Sequence, residues 1–592
     1  MEIQSLINFL TFNIQPSNIQ HQLETNMTDK KFTPDWANTP PVPGSYRSIV
    51  KEGRQDQVKV PSWQYYEQIK RDLKLDDNYF TNKQDGNQLL NDIPKSNLDT
   101  KIIEEIISIV GAENMQCDDY NRVKYSYGKL AEEMVALKRG ILHEITGAAV
   151  HPRDKHDVQK IVKLCDEKKV PIYVYGGGSS CNMGFKPEKE GVTLVLNTHM
   201  NKVIEVNELN HTCRVQAGCM GPQLEDALNN APEKFHTVHR FTNGHFPQSF
   251  ELSSVGGWVL TLGSGQASTY YGEPYNLVLS MEMVTPAGII STHDYTSTAT
   301  GPRVLDMLKG SEGVFGVLTE LTIKVFRYMP ENRQYFGYMF KDWESAVSAV
   351  REVCQGQFGL PAVFRLSDAH ETDHGFQMYP QPPIVEKLID MLGYKPKKRC
   401  VLMGTVEGEK DFTKMVKSKI SKIVGKHGAL SIGGSFARNW ETDRYETFLV
   451  GEAISDYDVI MDTVETPVKW DNIHHIHDAV LAYAHTVPGT LCISHMSHFY
   501  PYGSNLYFIF GIKGSVEDYV KYRTALVDAM VKAGGSPSHH HGVGRLMHQW
   551  IEGFLGKNEM DVLRTLKNHF DPNNIMNPGS QLGLNLPDEL KR

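Results

Sequence analysis

The sequence predicts an α+β chain of two large domains with a helical N-terminal extension, and three observations carry that reading. At 592 residues the chain is too long for one hydrophobic core. Helical periodicity gives way after residue 136 to short strand-like runs, several in succession between residues 170 and 216. A second alternating region follows at 253–325, and a third block of mixed helices and strands at 331–540.

Residues 1 to about 40 are rich in Asn, Gln, Thr and Pro, and the run Pro40-Pro41-Val42-Pro43-Gly44 interrupts regular structure, so a mobile arm is expected over 1–64. Residues 65–136 read as a helical extension, with Ile102, Ile103, Ile106 and Ile107 at the spacing of a packing face. The first domain is expected over 137–330. In it Val158, Ile161, Val162 and Cys165 mark one face of a short helix, and residues 170–175 form a strand ending in Gly176-Gly177-Gly178. Residues 192–197, 202–207, 212–216, 277–284 and 317–325 supply its further strands. A second domain is expected over 331–540, followed by a C-terminal segment, 541–592, that is helical until Pro572.

The formal net charge of -9 argues against a nucleic-acid surface, so an anionic substrate needs a local basic pocket. Eight cysteines without a Cys-x-x-Cys pair point to a reducing compartment. The apolar stretch at residues 5–12 is too short to span a bilayer and lacks the basic flank of a signal peptide. The terminal Asp588-Glu589-Leu590-Lys591-Arg592 is not a Ser-Lys-Leu type of peroxisomal address.

The loop Tyr175-Gly176-Gly177-Gly178-Ser179-Ser180-Cys181-Asn182-Met183-Gly184 follows a strand, and its adjacent glycines let main-chain N–H groups approach a diphosphate unobstructed. Taken alone, it reads equally well as a tight turn. A G-x-G-x-x-G dinucleotide fingerprint fits poorly, because Cys181 stands where the last glycine belongs and Phe185-Lys186-Pro187-Glu188 cannot open a helix cleanly. Three further segments follow in order: Ser253-Ser254-Val255-Gly256-Gly257-Trp258, Gly310-Ser311-Glu312-Gly313-Val314-Phe315-Gly316 and Asp571-Pro572-Asn573-Asn574-Ile575-Met576-Asn577-Pro578-Gly579.

Together the four segments resemble the vanillyl-alcohol oxidase family, from about residue 140 to the C-terminus. The resemblance implies a two-subdomain FAD-binding fold with an α+β substrate (cap) domain and a C-terminal segment returning to the cofactor domain. It implies FAD contacts from Tyr175, Gly176, Gly177, Gly178, Ser179, Ser180 and Cys181, and from Gln248, Ser249, Phe250, Glu251, Leu252, Ser253 and Ser254. Thr261, Leu262, Gly263 and Ser264 are implied as well, with Ser311, Glu312, Gly313, Val314, Phe315, Gly316, Val317 and Leu318. The glycine loop has no histidine to tether a flavin and only Cys181 as a nucleophile, so FAD is expected to bind non-covalently.

The fold alone leaves the chemistry open. Thr242-Asn243-Gly244-His245-Phe246-Pro247, Leu360-Pro361-Ala362-Val363-Phe364-Arg365-Leu366-Ser367-Asp368 and Ser538-His539-His540-His541-Gly542-Val543-Gly544 look like segments of the family's ether-lipid-forming members, as do Tyr500 and Tyr507-Phe508. That resemblance implies exchange of the acyl group of a 1-acyl-dihydroxyacetone phosphate for a long-chain fatty alcohol, through a flavin N5 adduct and without net redox. It also implies a peroxisomal homodimer with a peripheral membrane contact. Tyr500 is implied as general acid/base; since an ordinary tyrosine titrates at about 10, its site has to lower that value or share the proton with His539, His540 and His541. Arg365 is implied as the phosphate ligand, Arg444 as a second substrate contact and His245 as an active-site residue.

On the residues alone the three histidines read as a solvated loop or loose metal site, each arginine as a surface ion pair, and His245 as a satisfied core histidine. A second cluster, His474, His475 and His477 with His495 and His498, lacks H-E-x-x-H spacing, and no metal is expected. The competing function is an FAD-linked 2-hydroxy-acid dehydrogenase, with an arginine for the carboxylate and a histidine base. A flavin-binding membrane scaffold without turnover is the third.

Overall fold

The computed structural model describes residues 40–581 apart from 58, 60, 61, 82, 379 and 380. Strands β1 (Met115–Gln116), β2 (Ala148–Val150), β3 (Ile172–Tyr175) and β4 (Val192–Val195) form the first sheet, in the order β1-β2-β4-β3. β2, β4 and β3 are parallel, and Ala148, Val150, Val192 and Leu194 are wholly buried, as parallel strands covered on both faces require. One cover is the helix Lys155–Lys168. Asp154 caps it by accepting from the His156 and Asp157 N–H groups, and Lys169 ends it in the left-handed region at φ 56°. Its Val158, Ile161, Val162 and Cys165 form the buried face that their spacing predicts.

Strands β5 (Val203–Asn207), β6 (Thr212–Gln216), β8 (Val278–Thr285), β9 (Gly288–Ser291) and β10 (Val317–Lys324) make a second, antiparallel sheet, ordered β5-β6-β10-β8-β9. The short pair β7 (Phe241–Thr242) and β11 (Phe326–Arg327) lies beside it. The chain's end returns to the first sheet: the Ile172 N–H donates to the Ile575 carbonyl at 2.7 Å, and the Asn577 N–H donates to the Ile172 carbonyl at 2.8 Å. The Asp571 carboxylate fixes that return by accepting from the Ile575 and Met576 N–H groups while paired with the buried Lys567.

The second domain is one antiparallel sheet of β12 (Gln334–Phe340), β13 (Val363–Ser367), β14 (Cys400–Val406), β15 (Leu430–Ser431), β16 (Val459–Lys469), β17 (Thr490–Tyr500) and β18 (Gly503–Lys513), ordered β15-β12-β14-β13-β17-β18-β16. Helices Trp343–Gln355, Lys410–Lys426, Ile473–Ala484 and Val516–Lys532 pack on it. Paired residues share a face, so the register places Ser367, His495, Tyr507 and Glu465 in one row across β13, β17, β18 and β16. Arg365, two positions before Ser367, is on the same face.

A bulge interrupts β17 between Ser497 and Tyr500, and within it His498 adopts φ 57°. His495 and Tyr500 are an odd number of residues apart and would face opposite sides of a regular strand. The extra residue turns Tyr500 back to the side of His495.

Two expectations change. Residues 1–39 lie outside the described residues, but the remainder of the expected mobile arm contains a buried helix, Tyr46–Val50. Charge holds it: Arg47 pairs with Glu452 and Asp456 of the cap at 3.2 and 2.8 Å, and Lys51 with Glu452 at 3.1 Å. The helical extension contributes helix Thr100–Val110 with Ile106 and Val110 buried, but also the strand β1.

Candidate active site

The glycine loop after β3 lies directly against the segment 252–254. A Cβ on Gly176 would stand 2.2 Å from the Ser254 Oγ, one on Gly177 2.0 Å from the Leu252 carbonyl oxygen, and one on Gly178, at φ 77°, 2.0 Å from the Tyr175 hydroxyl. Two of the segments expected to touch FAD are thereby brought together. Burial pushes the Cys181 thiol up to about 12, so it is protonated and a weak nucleophile at neutral pH.

Beyond the loop, Ser253 Oγ accepts from the Trp258 indole at 2.6 Å, and the Trp258 ring lies 4.6 Å from that of His245. His245 is buried with neither ring nitrogen partnered, and burial lowers it to about 3, leaving a neutral imidazole. Ser311 Oγ is also buried without a partner. Buried polar atoms of this kind call for an occupant, and together with the glycine loop they fit a polar, diphosphate-bearing cofactor.

The other expected FAD contacts divide. Ser264 Oγ donates to Glu273 at 2.8 Å, Thr261 Oγ1 donates to the Gly257 carbonyl at 2.9 Å, and Gln248 Nε2 donates to the Arg444 carbonyl. Glu251 is exposed. Val314, Phe315, Val317 and Leu318 are at most 2% exposed, so their side chains build the first-domain core and only their main chain can face a ligand. Glu312, at φ 46°, turns its carboxylate away from a simple lining role: it accepts from the Val543 and Gly544 N–H groups at 2.6 and 2.7 Å. Burial pushes it up to about 7.

The histidine segment lies over the cap-sheet row. Tyr507, in the centre of that row, has its hydroxyl 2.5 Å from His540 Nε2 and 3.2 Å from His541 Nε2. The Tyr500 hydroxyl is 2.7 Å from His539 Nε2 and donates to the Glu273 carboxylate, which comes from the first domain. Burial, then Glu273, raises the Tyr500 phenol, opposite to the lowering a phenolate base needs. Burial lowers His541 and holds His540 well below the ordinary histidine value, so both are neutral. The site therefore offers shared protons and neutral imidazoles, with no phenolate.

Arg365 pairs with Glu371 at 2.6 Å, and His495 Nδ1 lies 3.1 Å from the same carboxylate. Burial opposes ionisation of Glu371, but Arg365 and His495 together hold it at about 2. Arg444 is only 5% exposed; its guanidinium donates to the Phe246 carbonyl at 3.2 Å and lies over the Tyr445 and Trp440 rings. It thus adjoins the His245 segment, whereas Arg365 shares the sheet face of Tyr507.

Glu273, Glu371 and Glu465 belong to this group and carry no signal of it in the sequence, and His498, which the sequence sets in the second histidine cluster, joins it. His498, buried with Nε2 unpartnered, is 4.7 Å ring to ring from His540. The second histidine cluster does not converge: His474 and His475 are exposed, His477 bonds Asp368 at 3.1 Å, and His495 turns to Glu371. Glu465, His539 and His540 do bring ligand atoms within 4.8 Å of one another. Both Glu465 oxygens, however, already accept main-chain N–H groups, and the Nδ1 atoms of His539 and His540 are 2.8 Å apart, hydrogen-bonded to each other.

Two sheets of a first domain, a large antiparallel cap and a terminal segment returning to β3 define a class. The chain belongs to the FAD-binding proteins of the vanillyl-alcohol oxidase type, and it is an FAD-dependent enzyme. A family model described as an FAD binding domain matches residues 146–293, and one described as the C-terminal domain of FAD linked oxidases matches 329–580. Within that class the chain is similar to the alkyldihydroxyacetonephosphate synthases: it is 28% identical to that of Dictyostelium discoideum, over 81% of this chain and 80% of the relative. A solved alkyldihydroxyacetonephosphate synthase superposes with a TM-score of 0.70 at 26% identity, covering 84% of this chain and 87% of the other. A 4-ethylphenol oxidase from Gulosibacter chungangensis, with a TM-score of 0.63 at 17% identity over 83% of this chain and 98% of its own, shares the fold.

Proposed function

We propose that this enzyme makes an ether lipid, exchanging the acyl group of a 1-acyl-dihydroxyacetone phosphate for a long-chain fatty alcohol and releasing a fatty acid. The observation that carries the reading is the Tyr500 hydroxyl held between the Glu273 carboxylate and His539 Nε2, where the two domains meet. The similarity to the synthases supports it.

The substrate's C1 hydrogens flank a ketone and can be taken by a positioned base. Tyr500 serves as a neutral relay: as its oxygen accepts a proton from C1, its own proton passes to Glu273 while His539 Nε2 faces the same oxygen, and the reverse transfer restores it. Arg365 uses one guanidinium nitrogen for Glu371 and presents the rest of its fork to the phosphate. His540, His541 and Tyr507 form the polar wall beside the reacting carbon. The main chain of the glycine loop, segment 252–254 and Ser311 would hold FAD, whose oxidised ring supplies an electron-poor partner for the substrate carbon. The loop's lack of histidine and the protonated Cys181 support reversible binding. Peroxisomal residence, a homodimer and a peripheral membrane contact belong to the same proposal; no helix among the described residues is long and apolar enough to cross a membrane.

FAD-saturated protein given palmitoyl-dihydroxyacetone phosphate and hexadecanol, with no electron acceptor, should yield the hexadecyl ether, identified by mass. Absence of that product ends the proposal. Rapid anaerobic bleaching of the flavin by D-lactate or D-2-hydroxyglutarate would instead mark a 2-hydroxy-acid dehydrogenase.

A further inference from the structure

The three histidines each meet a different partner geometry, although consecutive residues in a loop have no intrinsic reason to hold three ring directions. The main chain supplies the reason. His539, His540 and His541 all donate their N–H groups to the carboxylate of Glu465, at 2.9 to 3.1 Å, and the Ser538 hydroxyl adds a fourth donor at 3.1 Å. Glu465 is 2% exposed. Its strand partner in the register is Tyr507, so the carboxylate that grips the loop and the hydroxyl that receives His540 and His541 are neighbours on one sheet face.

The geometry points to Glu465 as the positioning residue of this site: by capping three successive N–H groups it fixes the ring directions of His539, His540 and His541 against Tyr500 and Tyr507. Two further observations agree. Its oxygens lie 3.7 and 3.8 Å from the Nδ1 atoms of His541 and His540, so its charge favours an N–H on the Nδ1 side, and the one Tyr507 hydroxyl proton is left to the nearer Nε2, that of His540. Burial opposes its ionisation, yet His541 and His539 when protonated, and the main-chain donors throughout, hold the carboxyl below the usual range, so it is charged whenever the site is at work. A neutral amide there would turn an N–H group toward donors and lose at least one of the grips.

This inference deepens the proposed function and rests on it only for the activity readout. Glu465→Gln should keep FAD and a cooperative unfolding transition, while exchange of the substrate's C1 hydrogen with solvent falls about 100-fold and its pH profile shifts. The expected loss is in kcat, with KM for acyl-dihydroxyacetone phosphate changed less than threefold. Glu465→Asp keeps the charge but withdraws it by one methylene, and should lie between the two. In the wild-type holoenzyme, amide hydrogen–deuterium exchange at 539–541 should be slow and should speed up in Glu465→Gln, while Val543 and Gly544, held by Glu312, keep their rates, a readout that needs no substrate. Fast amide exchange at 539–541 would overturn the assignment, as would a wild-type rate and pH profile in folded, yellow Glu465→Gln or Glu465→Asp. Lack of C1 exchange in the wild type itself would instead strike the proposed function and leave the amide result to judge Glu465.

Discussion

The histidine segment is held at both ends by a buried carboxylate, and the two ends are not alike. At its start Glu465, from the cap strand β16, accepts the N–H groups of 539, 540 and 541. At its end Glu312, from the first domain, accepts those of Val543 and Gly544. Glu465 has histidines and more donors about it and stays below the ordinary carboxylate range. Glu312 has fewer donors and no cation among its partners, and burial drives it up to about 7. The same motif, a carboxylate on loop N–H groups, is thus a fixed charge on the cap side and a group that titrates near neutrality on the FAD side. Polar neighbours, more than depth, decide which.

The largest effect is expected from breaking the first-domain end. Gly544 has φ 51°, and a Cβ there would lie 2.0 Å from the Asn182 main-chain oxygen of the glycine loop. Gly544→Val should cost about 3 kcal/mol or more and strip most of the FAD, read from the flavin-to-protein absorbance ratio and Tm. Normal flavin content would show that this end is dispensable. On the cap side, Arg365→Lys keeps charge but loses the bidentate fork. It should raise KM for acyl-dihydroxyacetone phosphate about ten- to hundredfold at unchanged flavin content, as loss of one charge-assisted hydrogen bond implies; an unchanged KM removes Arg365 from phosphate binding.

The smallest effect separates the two carboxylates by pH. A carboxyl raised on folding binds its proton more tightly in the folded state, so its contribution to stability is present at low pH and lost as pH rises from the ordinary value through about 7. Glu312→Gln should therefore flatten the fall in stability between pH 5 and 7, by an amount on the order of 1–2 kcal/mol, read as a flatter Tm curve. Parallel Tm curves for variant and wild type would contradict the assignment.

Local pattern made much of this legible. The apolar spacing of Val158 to Cys165 marks helix Lys155–Lys168, and strand alternation marks β5, β6, β8 and β10. The glycine loop and the histidine segment stand out because their residue types are unusual at that density. Long-range pairing was not legible. Glu465 looks like any strand glutamate until the register sets it beside Tyr507 and the fold brings in a segment 74 residues later. His498 matters through a bulge, which no residue type announces. The Tyr46–Val50 helix was hidden behind a proline-rich stretch because its stabilising charges, Glu452 and Asp456, are some 400 residues away. Val314 and Phe315, expected beside FAD, follow the ordinary rule that apolar residues fill the core.

The central claim is that Tyr500 moves the substrate's C1 proton, and Tyr500→Phe tests it with the ring and its packing retained. The variant should be folded and yellow and bind substrate but exchange the C1 hydrogen with solvent deuterium about 10²- to 10⁴-fold more slowly, with a matching loss of ether product. A hydroxyl of purely structural value would lower stability by about 1 kcal/mol and leave the rate intact. Near-normal C1 exchange and turnover in that variant would contradict the account and move the proton to the histidines.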